Sequence, residues 1–400
     1  MSVWDLMIGQ PRAVEVLKNA AEEARAITEG HEADAKAALS HAWLITGPPG
    51  SGRSVAGRAL AAALQCTGET VGCGVCTGCH TALAGSNPNV QVRATDLVSF
   101  KIDEVKDWVS EAYGAPLGNK WRVNLIEDAD RVQERTSNML LKSIEEPPER
   151  GVWILCAPSA DDVLPTIRSR CRHLILATPK VEDVAAYLVE QGEAGYEDAL
   201  RAAILAQSHV GFARALLRNP SLRENVRSMF SLPLEAQSPA EALFAVQTMF
   251  DRAKETADEQ AKQASDEERK KLYAALGVQA GDRIPRAIRA QVRELEEDEK
   301  RRNRRALKDV LDRALVDLLG FYRDVLTVQL GTGSQVVNVD MEHQIGHVAT
   351  HSTPGETLTR VDAVEQARKR IQTNAAPLLV LEAMAVVLVD PTLAGVGGSN

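Results

Sequence analysis

The amino-acid sequence predicts a parallel α/β sheet domain that is followed by a mostly helical region. Three short apolar runs, which alternate with helical segments, support the sheet: residues 42–46, 123–126 and 152–156. Continuous apolar strands separated by helices are typical of a parallel sheet covered by helices on both faces. Such runs become rare after Pro179, where the pattern favours helices. A length of 400 residues is too great for one compact core, so we expect two or three domains.

The charge balance argues against a protein that binds DNA by itself. The chain has 46 Lys and Arg against 55 Asp and Glu, which gives a net charge of −9. A broad DNA-binding face is usually rich in basic residues. The composition, 44% hydrophobic and 25% charged, is that of a soluble globular protein. Because the sequence lacks both a membrane-spanning apolar run and a basic N-terminal segment, we expect a cytosolic chain.

The segment 47–54, with the sequence GPPGSGRS, lies between the first apolar run and a helical stretch at 55–64. It has the spacing of Walker A, the phosphate-binding loop G-x-x-x-x-G-K-[ST]. Three glycines would let backbone N–H groups face a phosphate beside the positive end of the following helix: Gly47, Gly50 and Gly52. Ser54 would supply a hydroxyl to magnesium. The alternative is a glycine-rich turn without a ligand.

Two departures from the usual pattern indicate an impaired site. Arg53 occupies the position of the Walker A lysine, and its planar guanidinium is larger than an ammonium group. The second half of the site, Glu127 and Asp128, reverses the usual Walker B order of aspartate for the magnesium shell and glutamate for water activation. Both carboxylates are displaced by more than catalysis tolerates. We therefore expect negligible ATP hydrolysis, whereas binding of ATP and Mg²⁺ stays an open question.

Four cysteines follow the spacing C-x6-C-x2-C-x2-C: Cys66, Cys73, Cys76 and Cys79. Four thiolates with these spacings and intervening glycines fit a closed tetrahedral zinc site, so we expect structural Zn²⁺ in an insertion at about 66–79. An iron–sulfur cluster is the alternative, and disulfides are disfavoured in a cytosolic chain. Direct contact of this module with DNA is less favoured than a purely structural role. Cys156 and Cys171 lie far away in the sequence and are interpreted as core residues.

The second half of the chain is predicted to be helical. A small helical unit is expected at 181–217, and a further helical domain begins at about 221. A charged insert at 251–305 alternates acidic with basic runs, which is typical of a solvated helical hairpin or a flexible excursion. Residues 332–355 are polar and rich in turn formers, and the last residues, 395–400, are expected to be disordered.

Several motifs occur in a fixed order along the chain. Ile8-Gly9-Gln10 precedes the phosphate loop, which is followed by the cysteines and the Walker B strand, then by NMLLKSIEEPP at 138–148 and Ser169-Arg170-Cys171. This order resembles the subunits of bacterial DNA polymerase III clamp loaders over about residues 1–220, and more weakly to the end. Residues 8–10 resemble the start of the nucleotide-base pocket, and residues 211–216 resemble the sensor 2 region, with Arg214 in the arginine position. Residues 374–388 resemble the last helix of a collar domain.

The resemblance implies an AAA+ core with a P-loop NTPase-like parallel sheet at 1–178, a helical lid at 179–220 and an all-α collar domain at 221–395. It also implies a ring formed with gamma/tau and delta subunits, which opens the β sliding clamp and loads it onto primed DNA. In this family the gamma/tau subunits hydrolyse ATP, keep the Walker lysine and the Asp-Glu pair, and have threonine at sensor 1. Because this chain has Ala157-Pro158 there, the altered residues indicate the delta-prime branch.

The arginine of the Ser-Arg-Cys element has a known place in this family, where it points across the ring at ATP bound by the neighbour. The resemblance therefore implies that Arg170 acts in trans. A guanidinium supplied by a second subunit stabilises the charge that develops on the phosphoryl group during transfer. The alternative is a solvated basic edge formed by Arg168, Arg170 and Arg172.

Two other functions are alternatives. The first is an active motor, either a gamma/tau-type ATPase or another AAA+ enzyme such as a branch-migration helicase, which requires ATP hydrolysis by the isolated chain. The second is a zinc-dependent nucleic-acid binder with a vestigial AAA+ core, which requires salt-sensitive DNA binding by residues 60–85. A ring subunit explains all of the motifs together.

Overall fold

The computed structural model describes residues 1–30, 39–95, 100, 102–132, 134–218, 236, 238–275, 289–333, 336–372 and 375–394, with no side-chain detail at 134–135, 259–302, 305, 309, 340 and 372. Two compact units are present, one built from Met1–Thr95 and Ser99–Arg218, the other from Asn219–Asn400 with Asp96–Val98. The predicted start of the collar at 221 and the predicted disorder at 395–400 lie outside the described residues. Residues 276–288 of the charged insert also lie outside them.

A parallel five-stranded sheet forms the centre of the first unit, with the strand order β2-β3-β4-β1-β5. The strands are β1 (Ala42–Thr46), β2 (Val90–Arg93), β3 (Arg122–Ile126), β4 (Gly151–Ala157) and β5 (Arg172–Ile175). All four pairings are parallel. The central strands β1, β3 and β4 contain the three predicted apolar runs, whereas the sequence analysis did not identify the edge strands β2 and β5.

Side chains on each strand alternate between two buried faces. On β1, Trp43 and Ile45 pack into a core with the helices on one side of the sheet, and Leu44 packs into a core on the other side. Every residue of β1 and β4 is buried. Full burial of a large apolar side chain stabilises the folded state by about 1.5–3 kcal/mol. Packing of helices against both faces of the sheet is therefore strongly favourable. The predicted α/β fold class is confirmed.

The helices of the first unit are α1 (Pro11–Thr28), α2 (Arg53–Leu64), α3 (Thr77–Leu83), α4 (Ile102–Ala112), α5 (Glu134–Glu145), α6 (Pro165–Arg168), α7 (Val181–Glu190), α8 (Tyr196–Leu205) and α9 (Val210–Arg218). Helices α1 and α2 cover one face of the sheet, and α4 and α5 cover the other. The last three helices follow the sheet as the small helical unit predicted at 181–217. Among the helices that the structure describes, none combines the length and apolar character needed to cross a membrane.

The second unit contains the long helices α10 (Pro239–Ala275) and α11 (Arg289–Leu330), followed by α12 (Glu342–His351), α13 (Pro354–Gln372) and α14 (Pro377–Val389). One apolar core joins these helices, with Phe321 and Leu381 fully buried. Helix α12 corrects the interpretation of 332–355 as turn-rich: its buried Ile345 anchors an amphipathic helix despite many polar neighbours. The predicted helical character of the charged insert holds for the described parts, which continue α10 and α11.

Asp324 is a buried carboxylate in the second unit, with no exposed side-chain surface. Its Oδ2 accepts hydrogen bonds from the backbone N–H groups of Val337 (3.1 Å) and Asn338 (2.7 Å). Arg323 donates from Nη2 to its Oδ1 at 2.6 Å. A buried charge is stable only when paired and hydrogen-bonded, and these contacts fix the loop after α11 to that helix.

Candidate functional site

The phosphate loop joins β1 to α2. Gly47 follows β1 directly, and its N–H donates to the carbonyl of Pro158 at 3.2 Å, next to Ala157 at the predicted sensor 1 position. Gly50 has a φ of +85°, and a Cβ there would lie 2.9 Å from Cα of His209. Gly52, with a φ of +86°, immediately precedes α2. The loop therefore has the glycine-dependent form that the sequence predicted, with His209 of the helical unit packed against it.

Arg53 folds back onto the loop that it belongs to. Its Nη1 donates to the carbonyl oxygen of Gly47 at 2.6 Å. Burial lowers the pKa of Arg53, and nearby Asp130 and Asp128 offset part of that effect. An arginine stays protonated at any physiological pH, so the loop holds a permanent internal cation. Ser54 lies in the first turn of α2.

The two Walker B carboxylates have protein partners. Glu127, at the carboxyl end of β3, accepts a hydrogen bond from Nε of Arg58 on α2, with an Nε–Oε1 distance of 2.6 Å. Asp128 accepts a hydrogen bond from the backbone N–H of Thr95 and lies 3.6 Å from Nε of Arg131. Guanidinium groups thus neutralise the carboxylates that in the family's pattern face a magnesium ion.

The four predicted metal ligands come together in one cluster. Their Sγ atoms all lie within 4.8 Å of one another, and Sγ of Cys66 is 3.7 Å from that of Cys73 and 3.8 Å from that of Cys76. A zinc ion with Zn–S bonds of about 2.3 Å requires sulfur–sulfur edges of about 3.8 Å. The cluster, which is completed by Cys79, can therefore hold a tetrahedral metal ion such as zinc.

Backbone N–H groups support negative charge on these sulfurs. The N–H of Thr67 donates to Sγ of Cys76 at 3.3 Å, and that of Cys79 donates to the same sulfur at 3.4 Å. Burial raises the pKa of Cys76, but these hydrogen bonds outweigh it and lower the pKa to about 5. Burial raises the pKa of Cys79. Metal ions bind thiolates, so the donated N–H groups favour the ligand form.

The cysteine module packs against the N-terminal residues. Trp4 donates from Nε1 to the carbonyl of Val71 at 3.0 Å, and the N–H of Val3 donates to the carbonyl of Gly72 at 2.9 Å. Gly74 has a φ of +76°, and a Cβ there would lie 2.3 Å from the carbonyl oxygen of Met1. The module is thus part of the first unit's core. Cys156 is also buried, as predicted, and Cys171 is half-buried against the opposite core.

Arg170 lies just after α6 and has three partners, one of which is Oγ of Ser169, 3.3 Å from Nη1. Its Nη1 donates to the carbonyl of Thr166 at 2.7 Å, and its Nε donates to Oε1 of Glu145 at the end of α5. Arg168 instead pairs with Asp161, and the guanidinium of Arg172 lies 4.9 Å from the centre of the Trp43 ring. The three arginines therefore have different partners.

Arg214 lies on α9 and donates from Nε to Oε1 of Glu193 at 2.5 Å. Its guanidinium is 5.9 Å from the ring of Tyr187.

Gln10 donates from Nε2 to the carbonyls of Ala177, at 2.5 Å, and Ser51, at 3.4 Å, and so connects the N-terminal segment to the phosphate loop.

Three partner residues in these sites were missed by sequence reasoning: Arg58, Glu145 and Glu193. Arg58 and Glu193 are charged residues that no local motif marks, and Glu145 lies in the motif at 138–148 without any sign of its partner. Their partners lie 69, 25 and 21 residues away in the sequence, so only the tertiary fold brings them together.

Comparison with known proteins repeatedly finds subunits of bacterial DNA polymerase III. The sequence profile described as "DNA polymerase III, delta subunit" matches residues 22–180. The delta-prime subunit of Bacillus subtilis is 23% identical over 95% of this chain and 96% of its own length. The delta-prime subunit of Pseudomonas aeruginosa is 34% identical over 34% of this chain and 43% of its own length.

The gamma/tau subunit of Mycobacterium tuberculosis is 36% identical over 34% of this chain, and the match spans only 24% of that longer relative. The higher identity is thus confined to a short part of gamma/tau, whereas the match to a delta-prime subunit extends over nearly the whole chain. These matches confirm the resemblance inferred from the motifs: the chain is similar to clamp-loader subunits of bacterial DNA polymerase III, and its match to a delta-prime subunit extends over nearly the whole chain.

Proposed function

We propose that this chain is a ring subunit that supports ATP-dependent loading of the β sliding clamp onto primed DNA, without an effective ATPase of its own. The observation that carries the proposal is the internal neutralisation of its nucleotide site. Arg53 is bonded to the loop carbonyl of Gly47, and Glu127 is bonded to Arg58. Because guanidinium groups of the protein already pair with these oxygens, we expect the site to bind Mg²⁺ poorly. Its altered carboxylates are also poorly placed for hydrolysis.

The loop retains groups that bind phosphate. Gly47, Gly50, Gly52 and Ser54 keep the Walker A spacing at the start of a helix, where backbone N–H groups favour anions. Arg214 is in the sensor 2 position, although its partner is Glu193. We therefore expect at most weak nucleotide binding that leads to no turnover. In the cysteine cluster, Cys66, Cys73, Cys76 and Cys79 would hold one structural Zn²⁺.

Arg170 is the residue through which the chain would act on a neighbour. Its side chain is 38% exposed and lies beyond the short helix α6, where an adjoining subunit could reach it. The partners proposed are the gamma/tau and delta subunits and, through the assembled ring, the β clamp and primed DNA in the bacterial cytosol. The domain roles proposed are nucleotide-like core at 1–178, lid at 179–220 and collar at 221–395.

Reconstitution of the ring from this chain, gamma/tau, delta and the β clamp tests the proposal. Complexes with wild type, Arg170→Ala or Arg170→Lys are compared for assembly, ATPase stimulated by primed DNA and clamp, and clamp loading. Arg168→Ala is the matched control, because Arg168 lies two residues away, has a similarly accessible side chain and pairs instead with Asp161.

Arg170→Ala should leave assembly intact but lower both activities, with loading reduced more than ATPase. A trans arginine can contribute ~10³–10⁵ in rate at one site, but other sites in the ring keep their own arginines. Lysine should rescue poorly because it loses the planar fork. Equal activity of all the complexes would refute the trans role.

A gamma/tau-type ATPase is the second candidate, favoured by the 36% identity to the Mycobacterium tuberculosis subunit. Steady-state ATP hydrolysis by the isolated chain, abolished by Arg53→Ala, would establish it. Hydrolysis that Arg53→Ala does not change would indicate contamination by another enzyme.

A further inference from the structure

The carboxylate of Glu145 is the residue that fixes the orientation of the Arg170 guanidinium. Glu145 is the last residue of α5, and its Oε1 accepts the hydrogen bond from Nε of Arg170. On the other side of the same guanidinium, Nη1 donates to the carbonyl of Thr166 at 2.7 Å. Two nitrogens are thus held by two different helical segments, which restrains the plane of the group.

This arrangement leaves one nitrogen of the guanidinium, Nη2, available to a ligand. These contacts, together with the hydrogen bond from Nη1 to Oγ of Ser169 at 3.3 Å, engage Nε and Nη1, and no described residue accepts a hydrogen bond from Nη2. Nη2 can therefore donate to phosphate oxygens, and a guanidinium whose plane is already set loses less side-chain entropy on binding.

The exposure of the pair also suits an arginine that must serve a neighbouring site. The side chains of Arg170 and Glu145 are 38% and 43% exposed. Ion pairs at such a surface are weak compared with buried ones, because water screens the charges. Glu145 can therefore orient the guanidinium without retaining it when a highly charged phosphate approaches.

We propose that Glu145 is a positioning residue for Arg170, acting through the carboxylate–guanidinium contact so that Arg170 enters the neighbour's nucleotide site in the productive orientation. This inference rests on the proposed trans role of Arg170. It assigns a function to the first glutamate of the segment SIEEPP, which the nucleotide site of this chain does not use. Glu146, the next residue, is equally acidic and exposed and serves as an internal control.

The test is a double-mutant cycle in the reconstituted ring, with kcat and KM for ATP measured in the presence of clamp and primed DNA. Glu145→Ala should lower kcat by roughly two- to fivefold with little change in KM, because misorientation affects the transition state more than binding. Glu145→Gln, which keeps an oxygen to accept the Nε–H bond, should recover most of the loss. Glu146→Ala should behave as wild type.

In the Arg170→Ala background, Glu145→Ala should have no further effect, since residues that act as one unit are not additive. If Arg170→Ala lowers activity but Glu145→Ala does not, or if the two losses multiply, the positioning role is wrong while the trans role stands. If Arg170→Ala itself has no effect, the proposed function fails first. Ring assembly and the melting temperature, measured for every variant, must stay unchanged, and a loss of either with Glu145→Ala would make the role structural and overturn the inference.

Discussion

Arg58 on α2 donates from Nε to Oε1 of Glu127 at the end of β3, across 2.6 Å and from a helix that begins at the phosphate loop. Glu127 is largely buried, with 13% of its side chain exposed. The pair therefore joins the two halves of the nucleotide site by a charge-assisted hydrogen bond. If this bond keeps the Glu127 carboxylate from binding magnesium, as the proposed function requires, the chain should differ from an ATPase in several measurable respects.

Restoring the Walker lysine should not restore catalysis. In Arg53→Lys the loop regains its usual cation, but Glu127 stays bonded to Arg58 and Asp128 keeps its shortened side chain. We expect no steady-state ATP hydrolysis from the isolated variant. Adding Arg58→Ala should strengthen Mg²⁺-dependent nucleotide binding relative to Arg53→Lys alone, because it frees the Glu127 carboxylate. Calorimetric titration with ATP, with and without Mg²⁺, measures this, and equal affinity of the two variants would contradict it.

The cysteine cluster should hold one zinc ion per chain. Cys76 caps the start of α3 by accepting the N–H of Cys79, and serine is a good cap residue, so Cys76→Ser should lose the metal without losing the cap. We expect zinc to be absent from this variant and hydrogen exchange to accelerate at Val3 and in α3, with the cooperative unfolding of the chain retained. Elemental analysis of protein purified without a metal-affinity tag provides the stoichiometry. Less than about half an equivalent in the wild type would exclude the zinc assignment.

Asp324→Ala should destabilise the second unit selectively. The substitution leaves the N–H groups of Val337 and Asn338 without their acceptor, at a cost of about 3 kcal/mol. All the tryptophans lie before residue 154, so tryptophan fluorescence reports on the first unit, whereas far-ultraviolet circular dichroism also follows the helices of the second. The dichroism transition in urea should shift to lower concentration while the fluorescence transition does not. Asp362→Ala, at an exposed position of α13, is the control and should change stability by less than about 0.5 kcal/mol.

Glu356 should make the second unit sensitive to acid. It accepts hydrogen bonds from N–H (2.7 Å) and Oγ1 (3.0 Å) of Thr353, which lower the pKa of Glu356 in the folded state. A depressed pKa contributes stability above the unfolded pKa, and this contribution disappears as the pH falls through the folded value. Wild type should therefore melt at a higher temperature than Glu356→Gln at pH 7, and the two melting temperatures should converge towards pH 3. A difference that does not depend on pH would disprove the linkage.

The sequence allowed the central strands to be predicted, but not the edge strands, for a physical reason. β1, β3 and β4 are buried on both faces and therefore appear as apolar runs, whereas β5 is Arg-His-Leu-Ile with only Leu174 buried. The cysteine cluster could also be predicted, since its ligands are close in sequence. The pairings of Arg58, Arg170 and Arg214 could not, because these charged side chains acquire their partners only when segments distant in the sequence meet.

The strand order has a consequence for synthesis of the chain. β1 is complete at Thr46, but its neighbours β4 and β5 begin at Gly151 and Arg172. Ribosomes add about 5–20 residues per second, so the apolar segment Ala42–Thr46 waits roughly 5–20 seconds before either neighbour has been made. During that interval the nascent chain exposes an unpaired strand of high aggregation propensity, and we expect a holding chaperone to bind there until β4 leaves the exit tunnel.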